Sequence, residues 1–287
     1  MKKIVSLFMS VALVLSLLAG CSKTEQYTVE LDVKAGDISV VSYNVAAPWG
    51  NLKQGTSAQR VKRFAAYMNA VSPDTIGTQE MNQYWMDKLE ELMPAYDSYG
   101  IPRGGDENEK KSEMNSIFWR KDKFRCVDCG TFWLSETIYD ESKYEGAGCN
   151  RICSYVVLED KNTKKQFIHL NTHLDNASED AREFGAQTIM DTIELITDRH
   201  PGAKIVLTGD FNDVEGSKPY NIVSAQLKDC AKSNEANAGP TYIDWGNTES
   251  IIDFVFTDAE PVDYLVLDMN KDGFVSDHNG VFAMINL

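Results

Sequence analysis

Lys204-Ile-Val-Leu-Thr-Gly-Asp-Phe-Asn212 is the stretch on which the reading of this chain turns. Its apolar run, Ile205 to Leu207, reads as a buried strand, and the strand ends at Gly209. Asp210 and Asn212 follow two positions apart, so in an extended chain both side chains leave on the same side. A carboxylate and a carboxamide aimed together off a strand tip suit a metal ion, a water molecule or a phosphate. The same pair also suits a polar turn that Asp210 opens and Asn212 closes. The choice depends on how the other strands end.

Several end in the same way. A strand over 37–44 stops at Asn44, and a short one over 75–80 stops at Glu80. Lys165-Gln-Phe-Ile-His-Leu-Asn-Thr-His173 closes on Asn171 and His173. Asp253 interrupts the apolar Ile251-Ile252-Asp-Phe254-Val255, where a carboxylate is costly without a partner, and Asp277-His278 precede a last strand over 281–287. Further strands are predicted over 116–119 and 151–158, with polar loops over 100–115 and 135–150. Helical spacing predicts helices over 57–71 (Val61, Phe64, Ala65 and Met68 inward), 84–93 (Trp85, Leu89, Leu92) and 180–199 (Phe184, Ile189, Ile193, Ile196). Arg60, Lys62 and Arg63 fall on the face of the first helix expected in solvent. No internal linker or repeat divides 37–287, which reads as one α/β domain with layered sheets.

Taken one at a time, strand-end Asn and Asp are common turn formers, and a single His is usually structural. Together these residues hold the parts for metal-assisted hydrolysis. Carboxylates suit a hard divalent cation such as Mg²⁺, which needs only one or two of them, and neutral histidines can donate to a phosphate or a leaving oxygen. Neither a Gly-x-Ser-x-Gly elbow, nor a phosphate-cradling glycine loop, nor a His-Glu-x-x-His pair is present, which leaves water as the nucleophile.

The ordered set Tyr43-Asn44, Gln79-Glu80, Asn171-Thr-His-Leu-Asp175, Gly209-Asp-Phe-Asn212, Ile252-Asp-Phe254 and Ser276-Asp-His278 resembles the endonuclease/exonuclease/phosphatase (DNase I-like) superfamily. The resemblance implies a four-layer α/β/β/α sandwich of two packed mixed β-sheets, with the site between their upper edges. It implies Glu80 as principal Mg²⁺ ligand (Mn²⁺ being the alternative ion), with Asn44 beside it and Asp277 near a second cation. Asp210 would orient and deprotonate the attacking water, and Asn212 would hold that water or a phosphate oxygen. His278 would steady the developing charge or protonate the leaving group, Asp253 would orient a histidine, and His173 joins the catalytic set. Asn171, Arg151 and Thr241 (in Pro240-Thr-Tyr242) fall where phosphate contacts are expected. His173, a tyrosine in the abasic-site endonuclease branch, makes the chain more similar to the secreted nuclease, sphingomyelinase-like and phosphoinositide phosphatase branches. The implied activity is hydrolysis of a phosphoric ester, with nuclease, phospholipid and sugar-phosphate substrates all open. The alternative is a non-catalytic surface lipoprotein that binds a phosphorylated or glycan ligand on the same fold.

Residues 1–20 have the plan of an export signal: Lys2 and Lys3, an apolar run to Leu18, then Ala19-Gly20 before Cys21. That last part resembles a bacterial lipoprotein box, so Cys21 is expected to carry lipid and 21–36 to form a tether. The protein is then anchored to the cell envelope, on its periplasmic or outer face, and is expected to be monomeric. Setting aside 1–20, with two lysines and no acid, moves the net charge from −15 to −17. Such a chain lacks the cationic surface from which tight duplex binding derives, although bound cations would let it handle a phosphate ester. Cys126-x2-Cys129 with Cys149-x3-Cys153 superficially resembles a zinc ribbon; one disulfide or free thiols, Cys230 included, are the other readings. Asp268-Met-Asn-Lys-Asp-Gly273 matches half of an EF-hand loop but has Asn279 at the twelfth position, and reads as a turn.

Overall fold

The computed structural model describes residues 29–47, 51–52, 55–105, 112–270 and 273–287. The signal-like segment and Cys21 lie outside them, as do Lys271 and Asp272 of the EF-hand-like loop. In chain order the first half contains β1 (Ile38–Asn44), β2 (Asn51–Leu52), β3 (Gly55–Thr56), α1 (Ser57–Val71), β4 (Thr75–Met81), α2 (Gln83–Leu92), β5 (Tyr96–Tyr99) and β6 (Met114–Arg120). The next part contains β7 (Phe124–Trp133), β8 (Ile152–Asp160), β9 (Gln166–His173), α3 (Glu179–Arg199), β10 (Lys204–Asp210) and α4 (Lys218–Ser224). The chain finishes with β11 (Lys228–Asp229), β12 (Asp253–Thr257), β13 (Glu260–Leu267) and β14 (Gly280–Asn286).

Two six-stranded sheets form, in the orders β13-β14-β1-β4-β6-β5 and β11-β12-β10-β9-β8-β7. Each has one parallel pair at its centre, β1 with β4 and β9 with β10, joined across α1 and α3; their neighbours run antiparallel. The strand period of two divides the core. In β1, Val41 and Tyr43 face α1 and α2, while Ile38 and Val40 face the second sheet. In β8, Cys153, Tyr155 and Val157 face α3, while Val156 and Leu158 face the first sheet. The layers are therefore helices, sheet, sheet, helices. Helix α1 starts at a capping box between Thr56 and Gln59 and buries Val61, Phe64, Ala65 and Met68. Each of the larger of these contributes about 1.5–3 kcal/mol of burial.

The expected sandwich is observed, with local corrections. Strands β5, β7 and β13 were not expected; β7 alternates weakly, reading Phe-Arg-Cys-Val-Asp-Cys-Gly-Thr-Phe-Trp, and carries a bulge between Cys126 and Asp128. Phe184 is only partly buried and stacks on Tyr144 at 4.6 Å between ring centroids. Arg60, expected in solvent, is fully buried. Of the expected tether, Leu31 and Val33 pack, partly buried, against the core and the Lys34 N–H donates to Asp263 Oδ2 at 2.8 Å. The zinc ribbon does not assemble, because Cys126 and Cys153 pack on opposite faces of the second sheet. All five cysteines of the described residues are free thiols.

Candidate active site

The parallel strands β1, β4, β9 and β10 all finish at one edge of the sandwich, bringing Asn44, Glu80, His173 and Asp210 together there. Antiparallel strands reach the same edge by their beginnings. Asp253, the first residue of β12, pairs in register with Asp210, the last of β10, and His278 lies two residues before β14. A cleft of about 400 Å³ opens at this edge, lined by Glu80, His173, Asp210, Asn212, Asp277 and His278 among others.

Asp210 is the centre. It is 1% exposed, and its Oδ1 accepts the Asn212 N–H at 2.8 Å. This closes an Asx turn, so the turn reading and the site reading hold together. Asn212 is not extended but left-handed, at φ 49°. Its Nδ2 donates to the Leu174 carbonyl (3.0 Å) and to Nε2 of His173 (2.8 Å). Asp210 Oδ2 accepts from Asn44 Nδ2 at 2.9 Å, with Nε2 of His173 at 3.5 Å and Nε2 of His278 at 3.7 Å. Burial, then the nearby Asp253, pushes the Asp210 carboxyl up to about 7.

The two histidines are driven apart. Burial, then the Arg151 and Arg103 guanidiniums and His278, hold His173 well below its ordinary value. It is neutral, as its acceptance of the Asn212 amide requires. Burial also opposes a charge on His278, but Asp253, Asp210 and Asp277 outweigh it and raise the imidazole to about 10. Nδ1 of His278 lies 2.8 Å from Asp253 Oδ2. Asp253 is placed by Thr241, whose hydroxyl accepts the N–H groups of Ile252 and Asp253 at 3.0 and 3.1 Å. Thr241 is fully buried, so this structure corrects its expected phosphate contact: it sets the start of β12.

On the other side stands a set of oxygen donors. Glu80 is left-handed at φ 58°, and the β4–β6 register shifts between Thr78 and Met81; this irregularity turns the carboxylate into the cleft. Asn44 Nδ2 donates to Glu80 Oε1 at 3.0 Å, and the Ala47 N–H donates to Glu80 Oε2 at 2.5 Å. Burial, then Glu80, raises the Asp277 carboxyl, with the His278 charge opposing. Two carboxylates that repel across a cleft fit a hard divalent cation. Asn44 would need its Oδ1 for a cation, and that oxygen accepts the Ala46 N–H at 2.9 Å; as it stands, Asn44 serves as a double donor between Glu80 and Asp210. Ligand atoms of Asp210, Asp253 and His278 also lie within 4.8 Å of one another. The mutual hydrogen bond of the last two makes that trio a proton-handling set.

The remaining expected residues separate. Arg151 lines the cleft, with Nε 3.3 Å from Asp175 Oδ2 and Nη2 3.0 Å from Asn176 Oδ1. Asn171 does not reach it. Its Nδ2 donates to the Thr78 and Ser116 carbonyls and its Oδ1 accepts from Gln79 and Thr208, which uses its full capacity between the sheets. No hydrogen-bonding atom of Asn171 remains for a phosphate. Arg103, Glu113, Cys149, Asn176 and Tyr242 also line the cleft, none of them expected there. Arg103, Glu113 and Cys149 lie in the predicted polar loops, Asn176 directly follows the Asn171–Asp175 motif, and Tyr242 adjoins Thr241.

A model of the Endonuclease/Exonuclease/phosphatase family matches residues 41–278. Among solved structures, the mannosyl-6-phosphatase of Bacteroides thetaiotaomicron VPI-5482 is 30% identical, with a TM-score of 0.78 over 88% of this chain and 100% of its own. The catalytic domain of human nocturnin, 19% identical, shares the fold with a TM-score of 0.72 over 88% of this chain and 94% of its own. By sequence, a probable CCR4-Not complex 3'-5'-exoribonuclease subunit Ccr4 of Encephalitozoon cuniculi is 24% identical over 175 residues, 55% of this chain and 35% of that protein. This chain thus spans about a third of the length of the curated relatives it matches.

Proposed function

This chain belongs to the endonuclease/exonuclease/phosphatase family, and from that premise we propose that it is a Mg²⁺-dependent phosphatase acting on small sugar-phosphate monoesters. One observation carries the chemistry: Asp210, raised toward neutrality, stands between two histidines held in opposite protonation states. Titratable neighbours driven apart by their surroundings are the mark of an acid/base pair.

Asp210, when ionised, takes the proton of the attacking water, and Asn44 fixes the carboxylate by its bond to Oδ2. Asn212 spends both amide hydrogens on Leu174 and His173, which leaves its Oδ1 as acceptor for the same water. As the water oxygen bonds to phosphorus and the ester P–O bond breaks, Nε2 of His278 gives its proton to the departing oxygen, and Asp253 steadies the ring from behind. Glu80 and Asp277 would hold the cation, which when bound neutralises phosphoryl charge and polarises a phosphoryl oxygen. A positioned acid or base of this kind contributes about 10²–10⁴ in rate.

The monoester class is supported by the 30% identical relative being a mannosyl-6-phosphatase. It is supported also by the Arg103 and Arg151 guanidiniums that line the same cleft as Glu80, since a monoester offers one more anionic oxygen than a diester. The −15 net charge disfavours a nucleic acid duplex. The test is a Mg²⁺-dependent panel of mannose 6-phosphate, an inositol phosphate, a choline phospholipid, bis(p-nitrophenyl) phosphate and a DNA duplex, with Glu80→Ala as control. A sugar or inositol monoester is expected to be cleaved at least about tenfold faster than any diester. Preference for a diester would overturn the substrate class. Failure to cleave any member despite bound Mg²⁺ would favour a binding protein.

A further inference from the structure

Arg60 has no place in the chemistry above, yet it is fully buried in α1. A guanidinium out of water is costly unless its N–H groups are satisfied. Here Nη2 donates to the Val45 carbonyl and, at 2.5 Å, to the Ala46 carbonyl, and Nε donates to the Val275 carbonyl at 2.7 Å. Among the described residues, Nη1 has no hydrogen-bond partner. The guanidinium carbon lies 5.5 Å from the ring centroids of both Trp85 and Trp245, within cation–π range.

The three carbonyls are not arbitrary. A trans peptide points its C=O and its N–H in opposite directions. The peptide whose C=O is Val45's has the Ala46 N–H on its other side, and that N–H holds Asn44 Oδ1 at 2.9 Å. The next peptide, with the Ala46 carbonyl, presents the Ala47 N–H to Glu80 Oε2. Ala46 itself is left-handed at φ 53°, a conformation an alanine keeps only when its surroundings hold it. The third carbonyl, Val275's, leads directly into Ser276-Asp277-His278, and the Ser276 hydroxyl donates back to the Asn44 carbonyl at 2.6 Å. One side chain thus grips the far side of the two peptides that orient Asn44 and Glu80, and the segment that carries Asp277.

We propose that Arg60 is the positioning residue of the cation side: it aims Asn44, Glu80 and Asp277 by clamping the β1 exit to the segment before β14. This rests on reading Glu80 and its neighbours as the cation site. If Arg60 merely filled space, a methionine of similar volume would serve as well, since buried ionic groups are often replaced by apolar ones without loss of stability. Lysine keeps the charge but lacks the planar fork that reaches three acceptors.

The test is Mn²⁺ affinity by calorimetry on the full protein, with folding checked by near-ultraviolet circular dichroism. Arg60→Met and Arg60→Lys are each expected to bind Mn²⁺ at least about tenfold more weakly while remaining folded, and Glu80→Gln provides the reference loss. If Glu80→Gln loses affinity and a folded Arg60 variant stays within threefold of the parent, the positioning role is overturned and the cation reading stands. If Glu80→Gln binds as the parent does, the cation reading fails and takes the Arg60 role with it. Should neither Arg60 variant fold, Trp245→Leu decides, because it removes one of the two rings at a partly exposed position. A loss of threefold or more then supports the role, and unchanged affinity overturns it.

Discussion

His278 keeps its proton because three carboxylates outweigh its burial, with Asp253 the strongest of them. Both central shifts have the same sign for stability. A group raised on folding contributes stability that is full below its unfolded pKa and is lost as pH rises through the folded one. For Asp210 the loss runs from the ordinary carboxylate range to about 7, and for His278 from about 6.5 to about 10. The apo protein is therefore expected to surrender stability toward alkaline pH at this site. The same carboxylates make a residue-level prediction. Asp253→Asn removes the partner of Nδ1, so the His278 pKa, read by NMR titration, should fall by at least about one unit. The alkaline limb of the kcat/KM profile should move with it. An unmoved His278 resonance would show that Asp253 does not hold the charge. Thr241 belongs to the same arrangement one step removed, since its hydroxyl fixes the backbone that carries Asp253.

At the level of elements, the strand tips deliver the site by departing from regular structure. Asn212 and Glu80 are both left-handed, and Glu80 also sits at a register shift. Period-two reasoning put Asp210 and Asn212 on one side for the wrong reason, because an Asx turn rather than an extended chain brings them to the cleft. The apolar runs of β1, β4, β9, β10 and β12 were readable because each is buried on a definable face. β7 was hidden by its charges and bulge, and β13 by its Pro261, its register shift and a burial pattern that does not alternate. Arg60 was misread because amphipathic spacing assigns every cation to solvent, and only three distant carbonyls could have said otherwise. Between the sheets, Thr75, His169, Thr208 and Asn171 form a hydrogen-bonded seam, in which burial lowers the His169 imidazole to about 3. Gly77 lies against it: a Cβ there would come within 2.1 Å of Thr208 Oγ1 and 2.8 Å of Asn171 Oδ1. Gly77→Ala should therefore cost about 1–3 kcal/mol in chemical denaturation. A loss below about 0.5 kcal/mol would mean that the sheets separate more readily than this seam implies.

For the whole molecule, we propose that the signal-like residues 1–20 and the lipoprotein-like box before Cys21 make this acidic chain an envelope protein that meets its substrate outside the cytoplasm. We propose that Cys21 is the lipidated first residue of the mature chain. Mass spectrometry of the purified mature protein should find an N-terminal diacylglyceryl cysteine, and an unmodified residue there, or an uncleaved leader, would refute the anchor. The fold adds a constraint of timing. β1 pairs on one flank with β4 and on the other with β14, so Ile38 meets Ile285. The first and last strands of the described residues are thus neighbours within one sheet. His278 stands nine residues before the last residue of the 287-residue sequence. The Ser276 hydroxyl, which donates to the Asn44 carbonyl, ties the approach to β14 to the exit of β1. The cleft therefore takes shape only once β14 docks beside β1, because Asn44 closes the one strand and His278 leads into the other.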